Sequence, residues 1–361
     1  PLRPGLNPLS IAPNFEAYFL NELTRSDYDE FWKGIGLNWV EYFEQTADIP
    51  MLHVGGWYDI FLRGTIANYE NLARLKSSSI RLLVGPWDHG GNNRTFAGDV
   101  DFGPESAVAD FYTDFHVRWF DHFLKGQATG IESEKPVQIF VMGGGSGQKT
   151  EDGLLDHGGR WRPEKTWPIE RTATQTLHLT SHGSLDAASP ADSAFLTYRY
   201  NPADPVPSAG GSLVHLLELV PREDVQLDVI PPFGQRAAVY RQRHEIVPWG
   251  PREQREEAWM MGDRTPGARL ADRDDVLVFE TKPLDEDVEV TGQVTVNLWV
   301  SSSAPDTDFT AKLIDVVPTS EDYPEGYEMN LTDTILRMRY RNSWTEPEMM
   351  TPGTVYPISI V

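Results

Sequence analysis

A chain of 361 residues with 40% apolar and 24% charged content has the material for two packed cores, which argues against wholesale disorder. Its formal net charge of −23, with no basic run to offset it, argues against a nucleic-acid partner and against docking on an anionic membrane, and gives solubility. The absence of cysteine rules out disulfides, thiolate metal sites and a cysteine nucleophile, and no apolar run approaches the ~20 residues of a transmembrane span.

The chain opens at Pro1 with neither Met nor a charged-then-apolar leader, so the native start is expected to have been removed or to lie upstream. The compartment, cytoplasmic or secreted, stays open. Residues 1–13 are rich in Pro and Leu without a period and read as a loop. Asn14 to Thr46 carries Phe15, Tyr18, Phe19, Leu23, Tyr28, Phe31, Trp32, Trp39, Tyr42 and Phe43 among acidic residues, and is expected to form two short helices. Ser26 followed by Asp27 and Asp29 resembles a helix N-terminus, where a hydroxyl caps free N–H groups and carboxylates meet the positive dipole end. A packing face is the plain reading of these aromatics, and a lid over a pocket would use the same ones.

From Ile49 to His89 the pattern sharpens. Met51 to Val54 and Ile80 to Val84 have the length and composition of strands buried on both faces. Between them Ile66, Tyr69, Leu72 and Leu75, with Ala73, mark one face of a helix. Strand, helix and strand within about thirty-five residues form a βαβ unit with parallel strands. Asp59 and His89 then fall just past the carboxyl ends of neighbouring strands, where open α/β sheets place their chemistry. A carboxylate and an imidazole delivered side by side suit an oriented general base. Asp88, next to His89 in sequence, competes for the same role, but adjacent side chains usually diverge and Asp59 is the preferred partner.

After a Gly/Asn-rich loop, a helix is expected from about Ser106 to Lys125, with Phe111, Phe115, Val117, Trp119, Phe120 and Phe123 on its apolar face and Gly126 as its stop. From Pro136 the runs 137–141, 175–179, 195–200, 276–279 and 294–300 alternate with Pro, Gly and Asp clusters and point to an antiparallel β-sandwich. The domain boundary is placed near residue 130.

A triad needs a nucleophile, and no G-x-S-x-G elbow is present. Ser146 in the run 143–147 lacks the second glycine at the required offset, and its S-x-x-K match with Lys149 would need a helix that a Gly-rich loop does not favour. Metal patterns are weak: His116 and His122 are off a shared helical face, and His178 and His182 lack a third ligand. Asp272, Asp274, Asp275, Asp306 and Asp308 read as solvated turns, and His53, His157, His215 and His244 have no evident companions. No dinucleotide or phosphate loop appears, and no cofactor or metal is expected.

The runs HVGGWYDIFLRGTIANYENL, LLVGPWDHGG, VRWFDHFLKG and PVQIFVMG resemble the CocE/NonD hydrolases, the family of cocaine esterase and the X-Pro dipeptidyl-peptidases. NPADPVPSAGG, VTGQVTVNLWVSSSAPDTDFTAKLIDV and LTDTILRMRYRNS are similar to that family's C-terminal domain, so the likeness runs in order from about residue 27 onward. It implies a helical cap remnant and linker over 1–48, the C-terminal half of an α/β-hydrolase domain over 49–130, and an all-β jelly-roll sandwich, incomplete at its C-terminus, over 131–361. It further implies Ser-His-Asp acyl transfer on esters or amides, X-Pro peptides included, with Asp59 as triad acid and His89 as triad base. Phe61 falls where the family lines its acyl pocket, and Trp57 and Trp87 flank the same edge. In the family the nucleophile elbow and an oxyanion-hole Tyr lie upstream of these motifs, so the Ser is expected outside these residues.

The partner implied is a small-molecule ester, amide or peptide, with no nucleic acid and no membrane; a homo-oligomer is compatible with this reading. Two alternatives stay open. One is a non-catalytic jelly-roll module binding carbohydrate or protein on an α/β scaffold. The other is a metal-dependent hydrolase using His89 and acidic neighbours.

Overall fold

A computed structural model describes residues 3–361, except 35, 37, 109–114, 192–194, 213–215 and 222–239. The backbone divides into two compact units, one of residues 48–292 with 312–333, the other of 1–47 with 293–311 and 334–361. Three α-helices lie among the described residues: α1 (Pro13–Thr24), α2 (Leu62–Leu75) and α3 (His116–Lys125).

The larger unit opens with β1 (Met51–Gly56), crosses through α2, and returns in β2 (Ile80–Gly85). The two strands are parallel, in register from Met51 opposite Ile80 to Gly56 opposite Gly85. Helix α2 packs on both strands through Tyr69 and Leu72, which are buried. Ala73 is exposed rather than part of that face, since it lies a further ~100° round the helix from Leu72. β2 is buried along nearly its whole length, but β1 is only half-buried and exposes Val54. The difference follows from position: β1 is the outer strand of its sheet among the described residues, and β2 has neighbours on both sides.

A small hairpin follows, β3 (Phe96–Ala97) and β4 (Val100–Asp101), and then a 3₁₀ turn over Pro104–Ser106. The helix expected from Ser106 begins, among the described residues, at His116; Phe111 lies outside them. It ends as expected at Gly126, whose φ of 67° is left-handed and whose N–H donates to the His122 carbonyl at 3.0 Å.

The next strand, β5 (Val137–Met142), corrects the sequence reading. Expected to open the sandwich, it pairs in parallel with β2, Leu82 opposite Val137 and Val84 opposite Ile139. The residues explain why: Ile139 and Phe140 point to opposite faces and are both 1% exposed, as a strand covered on both sides requires. After β6 (Leu155–Asp156), β7 (Gly159–Glu164) runs antiparallel to β5 and completes the order β1-β2-β5-β7. β6 adds to β4 in a second, three-stranded sheet. Tyr58, Val100, Phe102, Phe140, Leu155, Tyr327 and Met329 form the core that these two sheets share.

Two further antiparallel pairs lie in this unit: β8 (His178–Leu179) with β9 (Leu185–Asp186), and β10 (Leu216–Pro221) with β11 (Tyr240–Val247). The runs 195–200 and 276–279, expected as strands, form none; Phe195, Leu277 and Val278 are exposed, and the second run ends in a single bridge from Glu280 to Ser184. β12 (Val296–Val300) pairs antiparallel with β15 (Tyr356–Ile360) in the smaller unit. β13 (Asp308–Val317) and β14 (Tyr327–Arg337) pair with each other, and each contributes residues to both units. Met338, Met350, Ile358 and Ile360 form the core of the smaller unit.

Among its described residues the N-terminal stretch has one α-helix, not two. Past α1 the described residues include turns and a three-residue 3₁₀ helix, Val40–Tyr42. The Asp29 carboxylate accepts from Phe31 N at 2.9 Å and the Asn38 side chain from Val40 N at 2.9 Å, so local side-chain bonds replace helical ones. Among the described residues α1 leaves Phe15, Tyr18, Phe19 and Leu23 exposed, so the packing face expected there is not filled.

Candidate active site

Both parallel strands end in glycine because Trp87 occupies the space a side chain would need. A Cβ on Gly56 would lie 2.1 Å from the Trp87 carbonyl oxygen, and one on Gly85 2.4 Å from its indole. The strand ends therefore close on each other. Trp57 N donates to Gly85 O at 2.9 Å and Tyr58 N to Trp87 O at 3.0 Å.

The chain then turns into α2. Asp59 N donates to Gly56 O at 3.0 Å, Leu62 N to Asp59 O at 3.0 Å, and Phe61 N to Asp59 Oδ1 at 2.8 Å. That last bond fixes the carboxylate at the start of the helix, where negative charge is favoured. From there Asp59 Oδ2 is 3.1 Å and Oδ1 3.3 Å from His89 Nδ1. The carboxylate is largely enclosed, at 14% exposure, whereas the imidazole is open at 60%. An imidazole that donates Nδ1–H to a carboxylate keeps Nε2 as a proton acceptor.

Asp88 does not compete for His89. Its carboxylate is 2% exposed, accepting from Arg94 Nη2 at 2.5 Å and from Trp249 Nε1. Phe61 is brought to the pair: it is half-exposed, with its ring centroid 5.1 Å from that of His89 in an edge arrangement. Trp57 and Trp87 are held elsewhere. Trp57 Nε1 donates to Phe140 O at 2.7 Å and its ring lies 5.9 Å from that of Trp167. Trp87 is 3% exposed and its Nε1 donates to Ser106 O at 2.8 Å.

Tyr58, which precedes Asp59, bears no mark of its role in the sequence. It is 1% exposed, its hydroxyl donates to the Asn330 carbonyl at 3.1 Å, and burial pushes its phenol pKa far up, so it stays a neutral donor. Ser146 Oγ donates to Asp156 Oδ2 at 2.7 Å on an exposed loop away from any helix. Asp275 pairs with Arg273, Asp306 with Arg339 and Asp308 with Arg337. His182 lies in the turn after β8, off its face, and His122 Nδ1 is 2.9 Å from Gln127 O. Among the described residues, no three His, Asp or Glu side chains gather as metal ligands. His215 and the side chain of His244 lie outside the described residues. No helix among those described is long and apolar enough to cross a membrane.

Residues 129–361 match the family model of the X-Pro dipeptidyl-peptidase C-terminal non-catalytic domain. The chain belongs to the CocE/NonD and X-Pro dipeptidyl-peptidase family. Residues 11–91 match a second model of that family, X-Pro dipeptidyl-peptidase (S15 family). The family's cocaine esterase from Rhodococcus sp. (strain MB1 Bresler) is 33% identical over 350 residues, 92% of this chain and 48% of that protein. An aminopeptidase from a marine sediment Thaumarchaeota archaeon superposes with a TM-score of 0.62 at 22% identity, over 97% of this chain and 50% of that one. An α-amino acid ester hydrolase gives 0.63 at 24% identity, over 98% and 51%. Both likenesses show the fold, an α/β-hydrolase sheet followed by a C-terminal β domain. The chain spans about half the length of these relatives.

Proposed function

We propose that the chain carries the acid–base half of a serine acyl hydrolase that cleaves ester or amide bonds, X-Pro peptides among them. The observation that carries this reading is the Asp59 carboxylate on Nδ1 of an imidazole whose ring is open to solvent. The nucleophile is a Ser outside these 361 residues. His89 Nε2 takes the proton from that Ser Oγ as the oxygen attacks the carbonyl carbon, then returns it to the leaving alcohol or amine. A water molecule repeats the sequence to release the acid. Asp59 holds the tautomer and stabilises the imidazolium. Phe61, apolar and beside the base, lines the acyl side of the substrate; Trp87 and Trp57 shape the edge from behind. The C-terminal β domain is a jelly roll, and no cofactor takes part.

Asp59→Asn tests the assignment. It keeps the geometry but favours the wrong tautomer, and turnover of an ester substrate by the full-length protein should fall by about 10⁴-fold with little change in KM. Unchanged kinetics would remove Asp59 from the mechanism.

A second reading, a binding module, has one observation on its side. In the smaller unit Trp299 is 72% exposed in a shallow groove with Asn297, Arg341 and Ser359, an arrangement suited to stacking a sugar ring. It predicts that Trp299→Ala abolishes retention on a polysaccharide and that His89→Ala has no effect on any activity.

A further inference from the structure

The residues proposed as acid and base each follow a buried side chain held from the C-terminal part of the chain, and the two holds are joined. On one side, the Tyr58 hydroxyl donates to Asn330 O at 3.1 Å. On the other, Asp88 accepts from Trp249 Nε1, 161 residues away in sequence. Between them, Arg252 N donates to Asn330 Oδ1 at 2.7 Å, and Arg252 Nε donates to Trp249 O at 3.3 Å. Asn330 is itself fully buried and Trp249 nearly so. A continuous hydrogen-bonded path, Tyr58–Asn330–Arg252–Trp249–Asp88, thus runs from the residue before Asp59 to the residue before His89.

A buried carboxylate needs its oxygens filled, and Arg94 from its own loop supplies one strong partner to Asp88. The second comes from residues matched to a domain described as non-catalytic. Because Tyr58 and Asp88 are each one peptide bond from a proposed reacting side chain, a shift at either end changes the separation of Asp59 and His89. Misplacement by about 1 Å can cost on the order of 10²-fold in rate.

We infer that the β domain sets the geometry of the acid–base pair, with Trp249 and Asn330 as positioning residues acting through Asp88 and Tyr58. This rests on the reading of Asp59 and His89 as acid and base. Neither positioning residue touches the reacting atoms. Their signature is a loss of kcat at constant KM, which a purely stabilising role would not produce in the folded protein.

The test uses the full-length protein and three variants: Tyr58→Phe, which deletes one donor and keeps the ring; Trp249→Phe, which deletes the indole N–H and leaves a smaller ring; and His89→Ala. Ester-hydrolysis kinetics are measured on the folded fraction defined by circular dichroism. Trp249→Phe and Tyr58→Phe should each lower kcat by about tenfold or more with KM within about twofold. Adding Trp249→Phe to His89→Ala should lower the residual rate no further, because the positioned group is gone. Wild-type kcat in both Phe variants, with His89→Ala inactive, would overturn the inference and leave the triad reading intact. Should Trp249→Phe fail to fold, Tyr58→Phe decides alone. Full activity in His89→Ala would remove the triad reading, and this inference with it.

Discussion

Asp88 is joined to His89 by a peptide bond, yet its carboxylate turns to Arg94 and Trp249, while Asp59, thirty residues away, reaches the imidazole. Backbone direction decides between them, and glycine sets that direction. Gly56→Ala would drive a methyl group to 2.1 Å from the Trp87 carbonyl oxygen, backbone that has no soft way to yield. Overpacking of this kind costs about 1–3 kcal/mol. Urea unfolding of Gly56→Ala should show that loss as a lower midpoint at unchanged slope. Glu164 gives the pH dependence at this scale. Hydrogen bonds from Arg171, and charge from Arg171 and Arg162, hold its carboxyl below the usual range. A lowered folded value means that the stabilisation is complete above the ordinary value of 4.5 and is lost as pH falls through the folded one. Glu164→Gln should therefore show a lower melting temperature at neutral pH and a shallower further decline on acidification. An acid limb as steep as in the parent would contradict the pairing.

Period governs how much of each element can be read in advance. β1, α2 and β2 follow from two apolar runs and a three-residue repeat between them, and their order alone places Asp59 beside His89. Leu72, 2% exposed on the helix face against the sheet, carries much of that packing. Leu72→Ala should cost about 2–5 kcal/mol in urea or thermal unfolding, and Ala73→Ser, on the exposed side, close to nothing. The run 137–142 shows the limit of such reading. Its short apolar run, broken only by Gln138, fits a sandwich-core strand and a buried parallel strand alike, and only pairing with β2 tells them apart. Likewise 195–200 and 276–279 have strand composition without becoming strands, because β propensity needs a neighbour to pair with. In the N-terminal stretch Asp29 and Asn38 have polar side chains able to satisfy the backbone locally, and they prevail over helical spacing.

Across the molecule, the adjacency of Asp59, His89 and Phe61 is a short-range consequence of one βαβ unit and was open to sequence reasoning. What lies behind that pair was not. Tyr58 and Asn330 are 272 residues apart, and Asp88 and Trp249 are 161 apart. No periodicity links such positions, and a Trp in a loop or an Asn in a strand carries no mark of its partner. The match of residues 129–361 to a domain described as non-catalytic fits a part of the chain that holds the chemistry in place without entering it.

The most direct test of the central claim is a fluorophosphonate serine-hydrolase probe applied to the full-length protein and to its His89→Ala variant, read by intact mass and by mapping the modified peptide. The account predicts one adduct per chain, on a Ser outside these 361 residues of 40.7 kDa, formed orders of magnitude more slowly without His89. An adduct on Ser146, or one that forms equally fast in His89→Ala, would contradict it.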